Sequence, residues 1–158
     1  LKKKLRDDLT LFKTSNFPKK FKSQSNKKYQ VTIGIGGNIG DTKKIFDKLI
    51  LSLKGDSRFD LLITSPLLLN PPFGYLEQNE FLNGIIILKT NLSPNEFLKN
   101  MHRLEKRFGR KRSFQDAPRT LDIDIIFFDN KKINTKKLII PHKDWANRES
   151  VLIPLKHL

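Results

Sequence analysis

The stretch PRTLDIDIIFF, Pro118 to Phe128, constrains the fold more than any other. Side chains alternate across a β-strand, so Asp122 and Asp124 share one face while Leu121, Ile123 and Ile125 share the other. The apolar face needs a core. The two carboxylates repel each other and resist burial, so they need an open face and a cation to make their closeness tolerable.

The rest of the chain supplies elements for such a sheet. YQVTIGIGGNIGD, from Tyr29, is a β-branched run ending in a glycine cluster. The helical pattern TKKIFDKLILSL follows, with Ile45, Leu49 and Leu53 on one face. FDLLITS and FLNGIIILKT read as strands, separated by PLLLNPPFGYLEQNE, whose Pro-Pro and Phe-Gly exclude regular structure across its middle. At Ser93 a helix begins with SPNE, placing Ser at the N-cap, Pro first and Glu third. Phe97, Met101, Leu104 and Phe108 form its apolar face, and Gly109 stops it. A basic loop, RKRSFQDAPR, leads into the aspartate strand, and INTKKLIIPHKDWANRESVLIPLKHL holds a short strand and a partly helical end. The order β-α-β-β-α-β is the ferredoxin-like plan: an α+β fold with a mostly antiparallel sheet, helices on one face and C-terminal additions.

Residues 1–28 differ in character. They hold nine Lys, one Arg and two Asp, a net +8 of the chain's +15, in a Ser-, Asn- and Gln-rich context typical of a linker or arm. Leu5, Leu9 and Phe12 fall at i, i+4 and i+7, which fits one short amphipathic helix. The expected organisation is a basic extension, partly helical or flexible, over 1–28 and one domain over 29–158. With no cysteine, disulfides and thiolate chemistry are excluded. No apolar run approaches the ~20 residues of a membrane span, and no secretion signal is visible, so the cytoplasm is the expected location.

An aspartate pair without sulfur or an adjacent histidine suits a hard cation with oxygen ligands, and Mg²⁺ fits best. The bland alternative has one Asp capping a turn and the other pairing with Arg119. Arg110, Lys111, Arg112 and Arg119 lie just upstream and His142, Lys143 and Arg148 downstream, a combination suited to phosphoryl transfer, in which catalysis is mostly positioning and charge neutralisation. GIGGNIGD is not a P-loop; its glycines read as permitting close backbone approach, with Asn38 free to hydrogen-bond locally. NPPFGY with FLNG could form a slot for a flat heterocycle, although Phe81 in the core and Asn83 at a turn would explain the same residues.

Five segments together, IGGNIGD, NPPFG with FLN, LEKRFGRKR, PRTLDIDI and INTKKLIIPHKDWANR, resemble the 6-hydroxymethyl-7,8-dihydropterin pyrophosphokinases of folate biosynthesis, from about Tyr29 to Leu155. The resemblance implies that Asp122 and Asp124 hold two Mg²⁺ ions bridging the phosphates of ATP and the pterin hydroxymethyl oxygen. It implies that Arg110 and Arg119 stabilise charge on the β-phosphate, with Arg112 assisting. His142 and Arg148 would grip the triphosphate, and His102, Glu105, Ile125, Lys137 and Ile139 would line the nucleotide site. Asn83 would read the pterin edge and Phe81 stack on its ring, with Gly37, Asn70, Pro71, Pro72 and Phe73 completing that pocket. ATP and the pterin are the expected partners of a monomer that engages neither nucleic acid nor membrane.

Some positions depart from the pattern. Ser150 stands where the family places a second aromatic over the pterin, leaving Phe73 and Phe114 as candidates for that face. The arginine loop is about one residue short before Ala117-Pro118. Residues 1–28 have no role in the resemblance, so their removal is expected to leave the kinetic constants nearly unchanged. The rival reading is a ferredoxin-like nucleic-acid-binding module, which the charge permits; such a module displays aromatics on its central strands, where this chain has acids.

Overall fold

The computed structural model describes all residues except Leu1, Arg112 and Ser113. Its central unit follows the expected order. Strand β4 (Tyr29–Gly37) leads to helix α1 (Thr42–Lys54), strands β5 (Phe59–Thr64), β6 (Leu67–Asn70) and β7 (Phe81–Thr90), helix α2 (Pro94–Arg107) and strand β8 (Asp122–Phe128). β7 pairs along its length with β4, which pairs with β8, and every one of these ladders is antiparallel.

Ser93 accepts from the Glu96 amide while the Glu96 carboxylate accepts from the Ser93 amide, so α2 begins in a full capping box. Gly109, at φ 86°, turns the chain away in the left-handed region. α1 and α2 pack Phe46, Leu49, Leu53, Phe97 and Met101 against Val31, Ile33 and Ile35 of β4 and Ile123 and Ile125 of β8. The aspartates therefore face the other side of the sheet. That side is covered elsewhere by α3 (Glu149–Lys156), whose Val151 packs with Ile85 and Ile126. A ribbon of β9 (Ile133–Asn134) and β10 (Ile139–Ile140), then a 3-10 turn at Trp145–Asn147, lead into α3.

Two elements differ from the sequence reading. Leu67–Asn70, part of the expected loop, is a strand filling the edge of β7 beyond the Ser65-Pro66 break, where the Ser65 hydroxyl accepts from Ile85 N–H. The N-terminal helix is absent. Residues Lys2–Arg6 and Leu9–Phe12 form a hairpin, β1 and β2, and β2 pairs with β6 to extend the sheet. The spacing of Leu5, Leu9 and Phe12 suits a helix, but Leu9 and Leu11 bury at period two, packed with Leu68, and long-range pairing overrides the local pattern. After β2 the chain runs on along the same side of the sheet, where β3 (Lys19–Lys20) pairs with β5, the strand that shares one side of β7 with β6.

On that path Phe17 is fully buried in the main core, its ring 5.9 Å from that of Phe46. Removal of residues 1–28 would strip the core of a phenylalanine and uncover β6, a cost in stability whatever its effect on the kinetic constants. Phe17→Ala is expected to cost about 3–5 kcal/mol in urea unfolding. A loss below about 0.5 kcal/mol, typical of surface positions, would mean that the segment does not pack as described.

Candidate active site

The glycine run and the aspartate strand meet in register. Gly36 lies opposite Asp122 and Gly34 opposite Asp124, while on its other side Gly36 faces Asn83 of β7. A Cβ on Gly36 would lie 2.5 Å from the Asn83 amide oxygen. The glycines clear a trough across the sheet, with carboxylates on one bank and Asn83 and Phe81 on the other. Asn83 donates to Asn70 at 2.6 Å across the β6–β7 pair, and Asn70 donates to the Pro71 carbonyl at 2.9 Å, so the amide bank is internally oriented.

The next two residues of the run serve the arginine. Gly37 packs so closely under the Thr120 carbonyl that a Cβ would lie 2.6 Å from it. Asn38 donates its backbone N–H to the Arg119 carbonyl at 2.9 Å and accepts from the Arg119 N–H at 2.9 Å, while its amide donates to Gln78 and the Asn79 carbonyl. Asn38 is therefore a splint between the loop before β7 and the start of β8. In the sequence its importance shows only as a polar residue after glycines.

Glu105 of α2, only 3% exposed, accepts from Arg110 at 2.7 Å and from the Ile123 N–H at 2.8 Å through the same oxygen. Arg110 also donates to Asp122, and Arg119 reaches the other Asp122 oxygen at 3.3 Å. Burial works against the Arg110 charge, but Asp122 and Glu105 outweigh it and hold the guanidinium above its ordinary value. Asp124 takes no hydrogen bond from any described residue. Burial, then the like charges of Asp122 and Glu105, push its carboxyl up, to about 8. A carboxylate pair with one member unsatisfied fits a hard cation. Among the described residues no group of three or more acids, histidines or cysteines that could hold a metal gathers there, so water and substrate oxygens would have to complete its shell.

Two cavities meet at these acids. A cleft of about 660 Å³, within the ~300–1,000 Å³ range of small-molecule sites, is lined by His102, Glu105, Arg110, Ile125, Lys137 and Ile139. A narrower slot of about 70 Å³ is lined by Gly36, Asn70, Phe73, Phe81, Asn83 and Ser150. Arg119, Asp122, Asp124, His142 and Arg148 line both. Every described residue expected on the nucleotide side is in the cleft. On the pterin side the structure differs from the expectation at three positions: Gly37 packs under the Thr120 carbonyl, and it and Pro71 and Pro72 do not line the slot, although the Pro71 carbonyl holds the Asn70 amide. Gly34 and Gly36 line it instead. Arg112 lies outside the described residues.

Phe73, exposed on its loop, lies under the Arg148 guanidinium at 4.4 Å, whereas Phe114 lines the cleft and packs edge-on to Tyr75 at 5.1 Å. Arg148 also donates to Asp144 at 3.3 Å, but its Nε is buried without a hydrogen-bond partner. Such an orphan donor costs about 1–3 kcal/mol until an acceptor arrives. The His142 ring is held below its ordinary pKa by burial first and Arg148 second, which makes it neutral near pH 7. Its Nδ1 accepts from the Asp144 N–H at 3.2 Å, which leaves the proton on Nε2 as a donor.

An antiparallel α+β sheet bearing paired carboxylates among arginines, between a nucleotide-sized cleft and an aromatic slot, describes a phosphoryl-transfer enzyme. Residues 32–158 match the family model of 7,8-dihydro-6-hydroxymethylpterin-pyrophosphokinase, and the chain belongs to that family. It is 44% identical to the 2-amino-4-hydroxy-6-hydroxymethyldihydropteridine pyrophosphokinase of Helicobacter pylori, over 88% of this chain and 86% of the relative. It is also 44% identical to the protein of that name from Campylobacter jejuni, over 81% and 82%, and 34% identical to that from Bacillus subtilis, over 80% and 75%. The Helicobacter match covers more than residues 29–158 alone can supply, so the likeness reaches back into the first 28 residues.

Because the folded-state pKa of Asp124 lies above its unfolded value, the folded chain holds a proton that the unfolded chain has lost between about pH 4 and about pH 8. Stability without divalent cations falls as pH rises through that window. Asp124→Asn does not titrate. Its thermal midpoint should match the parent near pH 4 and exceed it near pH 8 by at least about 2–4 °C, the shift made by ~1 kcal/mol in a chain of this size. An equal difference at both pH values would show that Asp124 is not strained by its charge.

Proposed function

We propose that this protein transfers the pyrophosphoryl group of ATP to 6-hydroxymethyl-7,8-dihydropterin, giving AMP and the pterin diphosphate used in folate biosynthesis. The observation that carries this reading is the position of Asp122 and Asp124, which line both cavities at their junction. A group passed between two bound molecules crosses such a junction. The family and its relatives point to the same reaction.

In this reading ATP fills the cleft and the pterin the slot. The pterin ring lies on Phe81, 8% exposed at the slot wall, with its polar edge toward Asn83. Phe73 is the aromatic that takes the face left open by Ser150, since it lines the slot and Phe114 does not. The hydroxymethyl oxygen attacks the β-phosphorus and gives up its proton to solvent as the bond from that phosphorus to the α-phosphate oxygen breaks, and AMP leaves. Arg110 and Arg119, whose positive groups already converge on Asp122, stabilise the negative charge that grows on the phosphate oxygens. His142 donates from Nε2, and Arg148 gains an acceptor for its orphan Nε. Asp122 and Asp124 would hold two Mg²⁺ ions, which when bound neutralise phosphate charge and activate the hydroxymethyl oxygen.

A nucleic-acid role is disfavoured because the central strands β4 and β8 present glycines and acids to the open face where a base-stacking module displays aromatics. Among the described residues no helix is long and apolar enough to cross a membrane. We take the protein to act as a cytoplasmic monomer.

With ATP, Mg²⁺ and the hydroxymethyl pterin, the nucleotide product should be AMP, quantified by anion-exchange chromatography. Stoichiometric, pterin-dependent ADP would refute pyrophosphoryl transfer. Asp122→Asn and Asp124→Asn should each lower turnover by more than tenfold, or about 1.4 kcal/mol of barrier, while circular dichroism shows an unchanged fold. Retention of more than about a tenth of the activity by either variant would argue against its metal role.

A further inference from the structure

We propose that the N-terminal hairpin braces the wall of the narrow slot, and that Arg6 is a positioning residue for the molecule bound there. The inference rests on the reading of that slot as the acceptor site. Strand β2 pairs with β6 through Thr10–Leu69, Leu11–Leu68 and Phe12–Leu67, and β6 ends at Asn70, the residue that orients Asn83. The outer edge of the strand behind the amide bank is therefore held by the first twelve residues.

The opposite wall is tied to the same hairpin. Arg6 donates to both carboxylate oxygens of Glu149, each at 2.7 Å, and also to Asp8, so its fork is fixed from two sides. Glu149 is the first residue of α3, flanked by Arg148 and Ser150, both of which line the slot. No side chain caps this helix at Arg148. Leu5 and Ile153 pack around Leu9, Leu11 and Leu68, adding an apolar tie one turn further along α3. Arg6 thus acts through Glu149 on the backbone that aims Arg148 over Phe73. The family model begins at residue 32, so the hairpin side of this brace, Arg6 included, lies outside the part of the chain it describes.

Arg6 and Glu149 are both half exposed, and pairs of this kind give modest effects. Arg6→Ala should raise the KM for the pterin about two- to fivefold, with a smaller rise in the KM for ATP through Arg148, which lines both cavities, and kcat within error. Arg6→Lys, which cannot form the two-pronged contact, should fall between parent and Arg6→Ala. The exchanged pair Arg6→Glu with Glu149→Arg should recover most of the pterin affinity that Arg6→Glu alone loses. An unchanged pterin KM, an equal rise for both substrates, or no recovery in the exchanged pair would overturn the proposal.

Hydrogen exchange separates this outcome from a failure of the functional reading. The Val151 and Leu152 amides, which donate to the Arg148 carbonyl, should exchange faster in Arg6→Ala than in the parent. If the parent makes no AMP yet these amides respond, the brace stands and the assigned reaction falls. If they do not respond, the brace is refuted whatever the activity.

Discussion

The structure turns on one buried carboxylate oxygen. Glu105 Oε2 accepts from Arg110 and from the backbone of Ile123, so a single atom joins α2, the basic loop and β8. Without it, the Arg110 side chain would keep only Asp122 among the described residues, and the start of β8 would lose its bond to α2. Removing one partner from a buried charged pair typically costs about 3–5 kcal/mol, because the other charge is left unpaired. The resemblance places Glu105 on the nucleotide wall, and it does line the cleft. Its geometry gives it an earlier role, since it holds the arginine in place before any phosphate arrives.

Legibility from sequence follows the range of the forces involved. α2 is readable to its ends because capping and period are local, and the Ser93–Glu96 box forms as written. The common face of Asp122 and Asp124 is readable because strand alternation is local too. β6 is not: LLLN after a proline carries no alternation, and its strand character comes from pairing with β7 and β2. The hairpin is hidden for the same reason, and Phe17 is hidden by its setting, a lone buried ring in a polar, lysine-rich segment.

The candidate site shows the same division. Residue types announce charge and a flat-ring slot, and the nucleotide-side residues assemble around one cleft. The assignment of the glycines needs register. Only the pairing of Gly36 between Asp122 and Asn83 shows which glycine clears the trough, and only the contact of Gly37 with Thr120 shows which one locks the arginine strand. Within a run of glycines, a shift of one residue exchanges those roles.

The charges of the cleft are also unevenly satisfied. Asp122 is served by two guanidinium groups while Asp124, two residues along the same face, has no donor among the described residues. Arg148, which lines both cavities with the two acids, donates to Asp144 at 3.3 Å and keeps a buried Nε with no hydrogen-bond partner. The protein's own groups leave a surplus acid beside a surplus donor in one cleft. Under the proposed function both surpluses have one resolution: polyphosphate oxygens take the free guanidinium donors, and cations arriving with them neutralise Asp124. Binding then recovers what folding leaves unpaired, and the stability forgone in folding becomes affinity for the charged substrate.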